Sequence, residues 1–195
     1  MMNNILEEDY QRIADMLNVE VATLKAVQEV ETGGRGGFFA PGKPAILFEG
    51  HIFWNQLKRK GIDPEKFVAG NENVLYPKWE RKWYLGGIKE YDRLEKAKEI
   101  DVDAAECSAS WGMFQIMGFN YKQCGCKSVT DFVENMCKSE KAQLECFAQF
   151  IQSNHMEVYL QRKDWAGFAR RYNGPGYEQN RYDEKLEHAY NKYCR

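Results

Sequence analysis

Glu31 stands where a helical apolar pattern runs into Glu31-Thr32-Gly33-Gly34-Arg35-Gly36-Gly37. Leu24, Val27 and Glu31 follow one another at helical spacing, so the face that carries two apolar side chains also carries this carboxyl. Glu29 points to the opposite side. A carboxyl on an apolar stripe is partly desolvated, which disfavours its charged form and raises its pKa. Lifting a Glu from about 4.3 to about 6.5 costs roughly 3 kcal/mol, which a fold tolerates mainly where the proton is used. General-acid cleavage of a glycosidic bond is one such use. A fraying helix end, with Glu31 exposed and a glycine stop behind it, is the structural alternative.

Metal chemistry has weaker support. Six cysteines (Cys107, Cys124, Cys126, Cys137, Cys146 and Cys194) and His155 are the raw material. Cys124-Gly125-Cys126 is a C-x-C pair rather than a C-x2-C knuckle, and the later spacings fit no common zinc site. The start, Met1-Met2-Asn3-Asn4-Ile5-Leu6-Glu7-Glu8, does not read as a secretory signal, and no apolar run reaches membrane-spanning length. These features predict a cytoplasmic store without membrane insertion, and cysteines held as buried thiols or joined in a late disulfide. The net charge of −2 argues against a nucleic-acid binder that relies on a basic surface.

The elements that must position Glu31 are mostly helices. The chain has 195 residues, 44% of them hydrophobic and 14% aromatic, which suits one globular domain over 1–195. Apolar periodicity predicts helices over 5–17 and 19–31, with Asn18 as a cap between them. Ala45-Ile46-Leu47-Phe48 reads as a short strand ending at Glu49, and helical character resumes from His51 to Lys60. Residues 61–87 form an irregular excursion whose Trp79, Trp83 and Tyr84 either line a cleft or pin the loop. A charged helix over 88–104 and a short apolar helix from Trp111 to Met117 are predicted next. Ser128-Val129-Thr130-Asp131 resembles a capping box for a helix to about 137. Helices over 139–153, 155–161, 164–172 and 180–193 complete a mainly α fold with one small β element.

Three further segments bear on Glu31. They are Ser108-Ala109-Ser110-Trp111-Gly112-Met113-Phe114-Gln115-Ile116-Met117-Gly118, Ala169-Arg170-Arg171-Tyr172-Asn173-Gly174-Pro175-Gly176-Tyr177, and Pro44-Ala45-Ile46-Leu47-Phe48-Glu49-Gly50-His51-Ile52-Phe53-Trp54. With Glu31-Thr32 and Tyr182-Asp183-x-Lys185-Leu186, the chain resembles the lysozyme-like superfamily of goose-type lysozymes and lytic transglycosylases. Within it, the chain is similar to the N-acetylmuramidase domain of phage endolysins, from about residue 10 to 192. That resemblance implies a mainly α (α+β) lysozyme-like fold, with a small β-hairpin after the helix that carries Glu31. It also implies cleavage of the β-1,4 bond between N-acetylmuramic acid and N-acetylglucosamine.

In the same resemblance Glu31 matches the catalytic glutamate, and Thr32 replaces the serine often found after it. Gln115 matches a glutamine that faces the substrate, and Tyr172 with Asn173 match the pair opposite the glutamate. Glu49 falls where lysozyme-like folds place a second acid and is the candidate base; pairing with Arg35 or with loop backbone is the alternative. His51 either orients Glu49 or binds a sugar hydroxyl, unless it is structural. The implied partner is the peptidoglycan glycan strand, met by a monomer that needs no cofactor or metal and reaches the wall through a holin or another export route. Two competitors remain. A lytic transglycosylase needs one carboxyl and leaves 1,6-anhydro ends, and a non-catalytic wall-binding module needs no acid at all. A helix-turn-helix over 5–31 lacks a basic second helix, since Lys25 is its only cation.

Overall fold

The computed structural model describes residues 5–194, with the side chain of Pro175 excepted. Met1 to Asn4, part of the start read as carrying no secretory signal, lie outside the described residues. Helix α1 (Glu7–Leu17) opens with three acidic residues, which suit the positive end of the helix dipole. Asn18 ends it in a left-handed conformation at φ 52°, so the expected cap belongs to the end of α1 rather than to the start of α2 (Val21–Thr32). Gly33 stops α2 at φ 58°, a conformation that a side chain with a Cβ resists. The glycine-rich segment beyond it is tied down by α7 (Glu140–Ser153). The Gly37 amide donates to Glu140 Oε1 at 2.8 Å, and the buried Gln143 donates to the Gly37 carbonyl at 3.2 Å.

Strands β1 (Phe38–Ala40) and β2 (Lys43–Pro44) make a small antiparallel hairpin directly after α2. Strand β3 (Ile46–Phe48) leads into α3 (Gly50–Arg59) and pairs with β4 (Ala109–Trp111), which in turn pairs with β5 (Ile116–Met117). Among the described residues the β part is therefore two small sheets rather than one element. The helix expected over Trp111–Met117 is instead the β4–β5 hairpin. Gly112 at φ 72° and Gln115 at φ 50° both take left-handed conformations that a right-handed helix excludes. So short an apolar run carries too little periodicity to separate strand from helix.

The charged helix expected over 88–104 is divided into α4 (Glu90–Lys98) and α5 (Val102–Cys107). Asp101 breaks it: its backbone is extended, and its carboxylate accepts from the Ala104 amide at 2.8 Å, starting a new helix. Ser128 caps α6 (Val129–Lys138) as expected, accepting from the Asp131 amide at 3.0 Å. After α7 come α8 (Glu157–Gln161), α9 (Trp165–Asn173) and α10 (Tyr182–Tyr193). The α-dominant fold agrees with the sequence reading. Its core joins Leu24 and Val27 of α2 to Phe132, Phe147, Phe168 and Leu186, all buried. Phe114 stacks on Phe147 with ring centroids 3.9 Å apart, and Phe168 stacks on Tyr172 at 5.6 Å. This aromatic column, joined where Phe147 meets Tyr172 edge-on, fixes the end of α9 against α7 and the β4–β5 turn.

Candidate active site

The helical spacing that put Glu31 on the apolar face of α2 is realised, since Leu24 and Val27 below it are fully buried. Glu29 turns away to α10, where it accepts hydrogen bonds from Lys192 Nζ at 2.7 Å and the Tyr193 hydroxyl at 2.6 Å. Part of the Glu31 side chain remains open, but protein crowds its carboxyl. Loss of solvent around it pushes its pKa up to about 8. Among the described residues no cation neutralises it; its partner is an amide. Asn173 Nδ2, on the last residue of α9, donates to Oε1 at 3.1 Å and to Oε2 at 3.4 Å.

Tyr172 stands beside Asn173, but its hydroxyl donates to the Phe114 carbonyl at 3.0 Å rather than to Glu31. Burial raises its pKa well above the tyrosine range, and the Glu31 charge adds to the shift. Tyr182, at the start of α10, is raised by the same two causes in the same order. It belongs to the electrostatic surroundings of Glu31, although sequence reasoning assigned it no role. Thr32 uses its hydroxyl locally, accepting from the Gly34 amide at 3.1 Å, so it braces the glycine turn behind Glu31.

Gln115 is exposed, yet its amide group is engaged within the protein. Nε2 donates to the carbonyls of Gly112 at 2.8 Å and Ala45 at 3.2 Å, and Oε1 accepts from the Ser110 hydroxyl at 2.8 Å. These bonds pin the β4–β5 turn to the start of β3. Gln115 thus braces a strained turn, and the remaining lone pair of its oxygen is what it can offer a ligand.

Glu49 occupies the residue between β3 and α3, its amide donating to the Ser108 carbonyl at 2.9 Å. Its Oε2 accepts a 2.5 Å hydrogen bond from the Tyr84 hydroxyl and lies 3.4 Å from His51 Nδ1. Arg35 does not pair with it among the described residues. His51 Nδ1 is buried and has no hydrogen-bond partner among the described residues, so Glu49 is the group it faces. Two clusters result: Glu31 with Asn173, and Glu49 with His51 and Tyr84. Sequence reasoning left Tyr84 open between cleft and loop anchor. The signal that could have singled it out is a phenol in a tryptophan-rich excursion, and Trp79 indeed packs edge-on against it at 6.4 Å.

A cavity of about 1060 Å³ lies between the outer face of α2 and α10, and neither Glu31 nor Glu49 lines it. Among the described residues no group of three or more His, Cys, Asp or Glu could hold a metal ion. The six cysteines are free thiols.

The α-dominant fold carries a crowded, desolvated glutamate at a helix end faced by an asparagine, and in a second cluster an anchored carboxylate. Residues 20–194 match the Muramidase model, and the chain belongs to the N-acetylmuramidase family. It is a peptidoglycan-cleaving enzyme. Its fold is similar to the crystal structure of a Burkholderia AP3 phage endolysin, with 41% sequence identity and a TM-score of 0.90. That likeness covers 98% of this chain and 72% of the other, and bears out the endolysin-type muramidase resemblance. No curated protein matches the chain.

Proposed function

We propose that this enzyme hydrolyses the β-1,4 bond between N-acetylmuramic acid and N-acetylglucosamine, with Glu31 as general acid and Glu49 as the base that activates water. The observation that carries the reading is the desolvated Glu31 carboxyl, whose pKa of about 8 keeps its proton at neutral pH. A protonated acid beside the glycosidic oxygen gives up its proton as the bond breaks. The carboxylate left behind keeps the hydrogen bond from Asn173 Nδ2, which strengthens as charge develops. Tyr172 supports the reading as the group that holds Asn173's helix end against Phe114.

Glu49 suits a base because both of its protein neighbours address Oε2, leaving Oε1 without a hydrogen bond among the described residues. An inverting hydrolase places its water between two carboxyls roughly 6.5–9.5 Å apart. His51 and Gln115 are then contributors to sugar binding at the rim, and Thr32 acts through the turn that ends α2. The acceptor is water and no cofactor takes part. Among the described residues no helix is long and apolar enough to cross a membrane. The enzyme is read as a monomer of one catalytic domain that works on glycan strands during phage or prophage lysis.

Mass spectrometry of muropeptides released from purified sacculi, with and without borohydride reduction, tests this reading. Reducible muramic-acid ends are the expected result. Non-reducible ends lighter by one water would make the muramyl 6-hydroxyl the nucleophile, and the enzyme a lytic transglycosylase.

A further inference from the structure

We infer that Tyr84 is a positioning residue for Glu49, locked in place by the buried Glu90–Arg93 pair. The inference rests on the reading of Glu49 as the base. Tyr84 lies in the 61–87 excursion, which has no strand and only single-turn helices, so its backbone needs an external anchor. Glu90 supplies one. Its Oε1 accepts from the amides of Leu85 at 2.7 Å and Gly86 at 2.9 Å, directly after Tyr84. Its Oε2 accepts from the Phe48 amide at 3.2 Å, directly before Glu49. One carboxylate therefore holds the loop that carries the phenol and the strand that carries the candidate base.

Arg93 completes the lock. Nη1 donates to Glu90 Oε2 at 2.7 Å and to the Phe48 carbonyl at 2.8 Å, and Nη2 donates to the Tyr76 hydroxyl at 3.0 Å. Nε reaches the Asn73 carbonyl at 3.1 Å. The guanidinium lies against the rings of both Phe48 and Tyr84, at 5.3 and 5.4 Å from their centroids. Tyr76 in turn accepts from the Gly50 amide at 3.3 Å, so residues on both sides of Glu49 are gripped by one network.

Glu90 and Arg93 are 0% and 1% exposed, which makes the pair costly as a source of stability alone, because burying two charges sacrifices their hydration. What such a network supplies is fixed geometry. The fixed geometry ends at the Tyr84 hydroxyl. Burial and the bond to Glu49 both raise the phenol above the usual tyrosine range, so its proton stays in place as a donor. A base needs one oxygen held and the other presented to water, and the Tyr84–Oε2 bond creates that asymmetry.

The test measures kcat and KM on soluble peptidoglycan fragments, together with thermal midpoints. Tyr84→Phe deletes one oxygen and keeps the ring. It should lower kcat roughly ten- to hundred-fold while leaving KM and the midpoint near their starting values. Repeating Tyr84→Phe in a Glu49→Asp background separates positioning from general packing. The shortened carboxylate no longer reaches the phenol, so the second loss should fall below about two-fold. Unchanged kcat in Tyr84→Phe, or an equal loss in both backgrounds, overturns the inference. Full turnover in Glu49→Gln would overturn the base assignment itself. Loss there with full turnover in Tyr84→Phe overturns the role of Tyr84 alone.

Discussion

Burial of Glu31 sets the direction of two pH dependences. Its carboxyl titrates near 8 in the folded chain, against an ordinary 4.5. The folded state therefore binds this proton more tightly than the unfolded state, and folding stability falls as pH rises between those two values. Above about 8 the cost is complete, and below about 4.5 it vanishes. Glu31→Gln removes the titration while keeping the shape and a polar partner for Asn173. Its thermal midpoint should match wild type near pH 4 and exceed it increasingly up to pH 9, as scanning calorimetry across pH would register. The same variant should lose lysis of sacculi at every pH. Wild-type lysis should decline on the alkaline side as Glu31 gives up its proton, with a limb near pH 8. A midpoint difference that does not grow with pH would mean that the carboxyl is solvated like an ordinary surface glutamate.

Two junctions between elements carry the proposed site, and each depends on close approach. At the first, Gly33 releases α2 into the turn braced by Thr32, while Asn173 ends α9 opposite. At the second, β3 passes through Glu49 into α3 across Gly50. A Cβ on Gly50 would lie 2.4 Å from the Tyr76 ring and 2.7 Å from the Val74 carbonyl oxygen, and Tyr76 is held by the Gly50 amide and Arg93. Gly50→Ala must push Tyr76 off its bond to Arg93 or bend the strand end. It should cost about 1–3 kcal/mol by overpacking and lower turnover along with stability. Urea unfolding gives the first quantity and a turnover assay the second, and unchanged values in both would show that the loop yields freely. Junctions of this kind explain which elements were legible. Ser128, followed by Asp131, announces α6 because capping is a local bond between neighbours in sequence. The β4–β5 hairpin was not legible, because β4 is a strand only through pairing with β3, as in Phe48 with Ala109.

Across the whole molecule, α10 closes the fold on α2. Leu186 of α10 is fully buried, and the Lys192 and Tyr193 bonds to Glu29 tie its far end to the helix that carries Glu31. The last helix is therefore a support for the proposed site, 155 positions in sequence from Glu31 in the case of Leu186 (186 − 31 = 155). Leu186→Ala leaves a cavity where α10 packs and should cost about 2–5 kcal/mol. For a chain of this size that corresponds to a midpoint lower by roughly 5–15 °C. Calorimetry measures the shift, and a change below about 1 °C would show α10 to be a loosely attached segment.

Local chemistry was enough to place Glu31 on the apolar face of α2, to order most of the helices and to carry the family resemblance. Helical periodicity, caps and glycine stops act between residues a few positions apart, so a linear reading detects them. The tertiary structure alone decided what surrounds each carboxyl. Asn173 reaches Glu31 from 142 positions away, Tyr84 reaches Glu49 from 35, and Glu90 reaches Phe48 from 42. No periodicity encodes such bonds, because they exist only after long stretches of chain have closed on one another. The pKa of Glu31 follows the same logic, since desolvation depends on the dense packing of remote helices around one side chain.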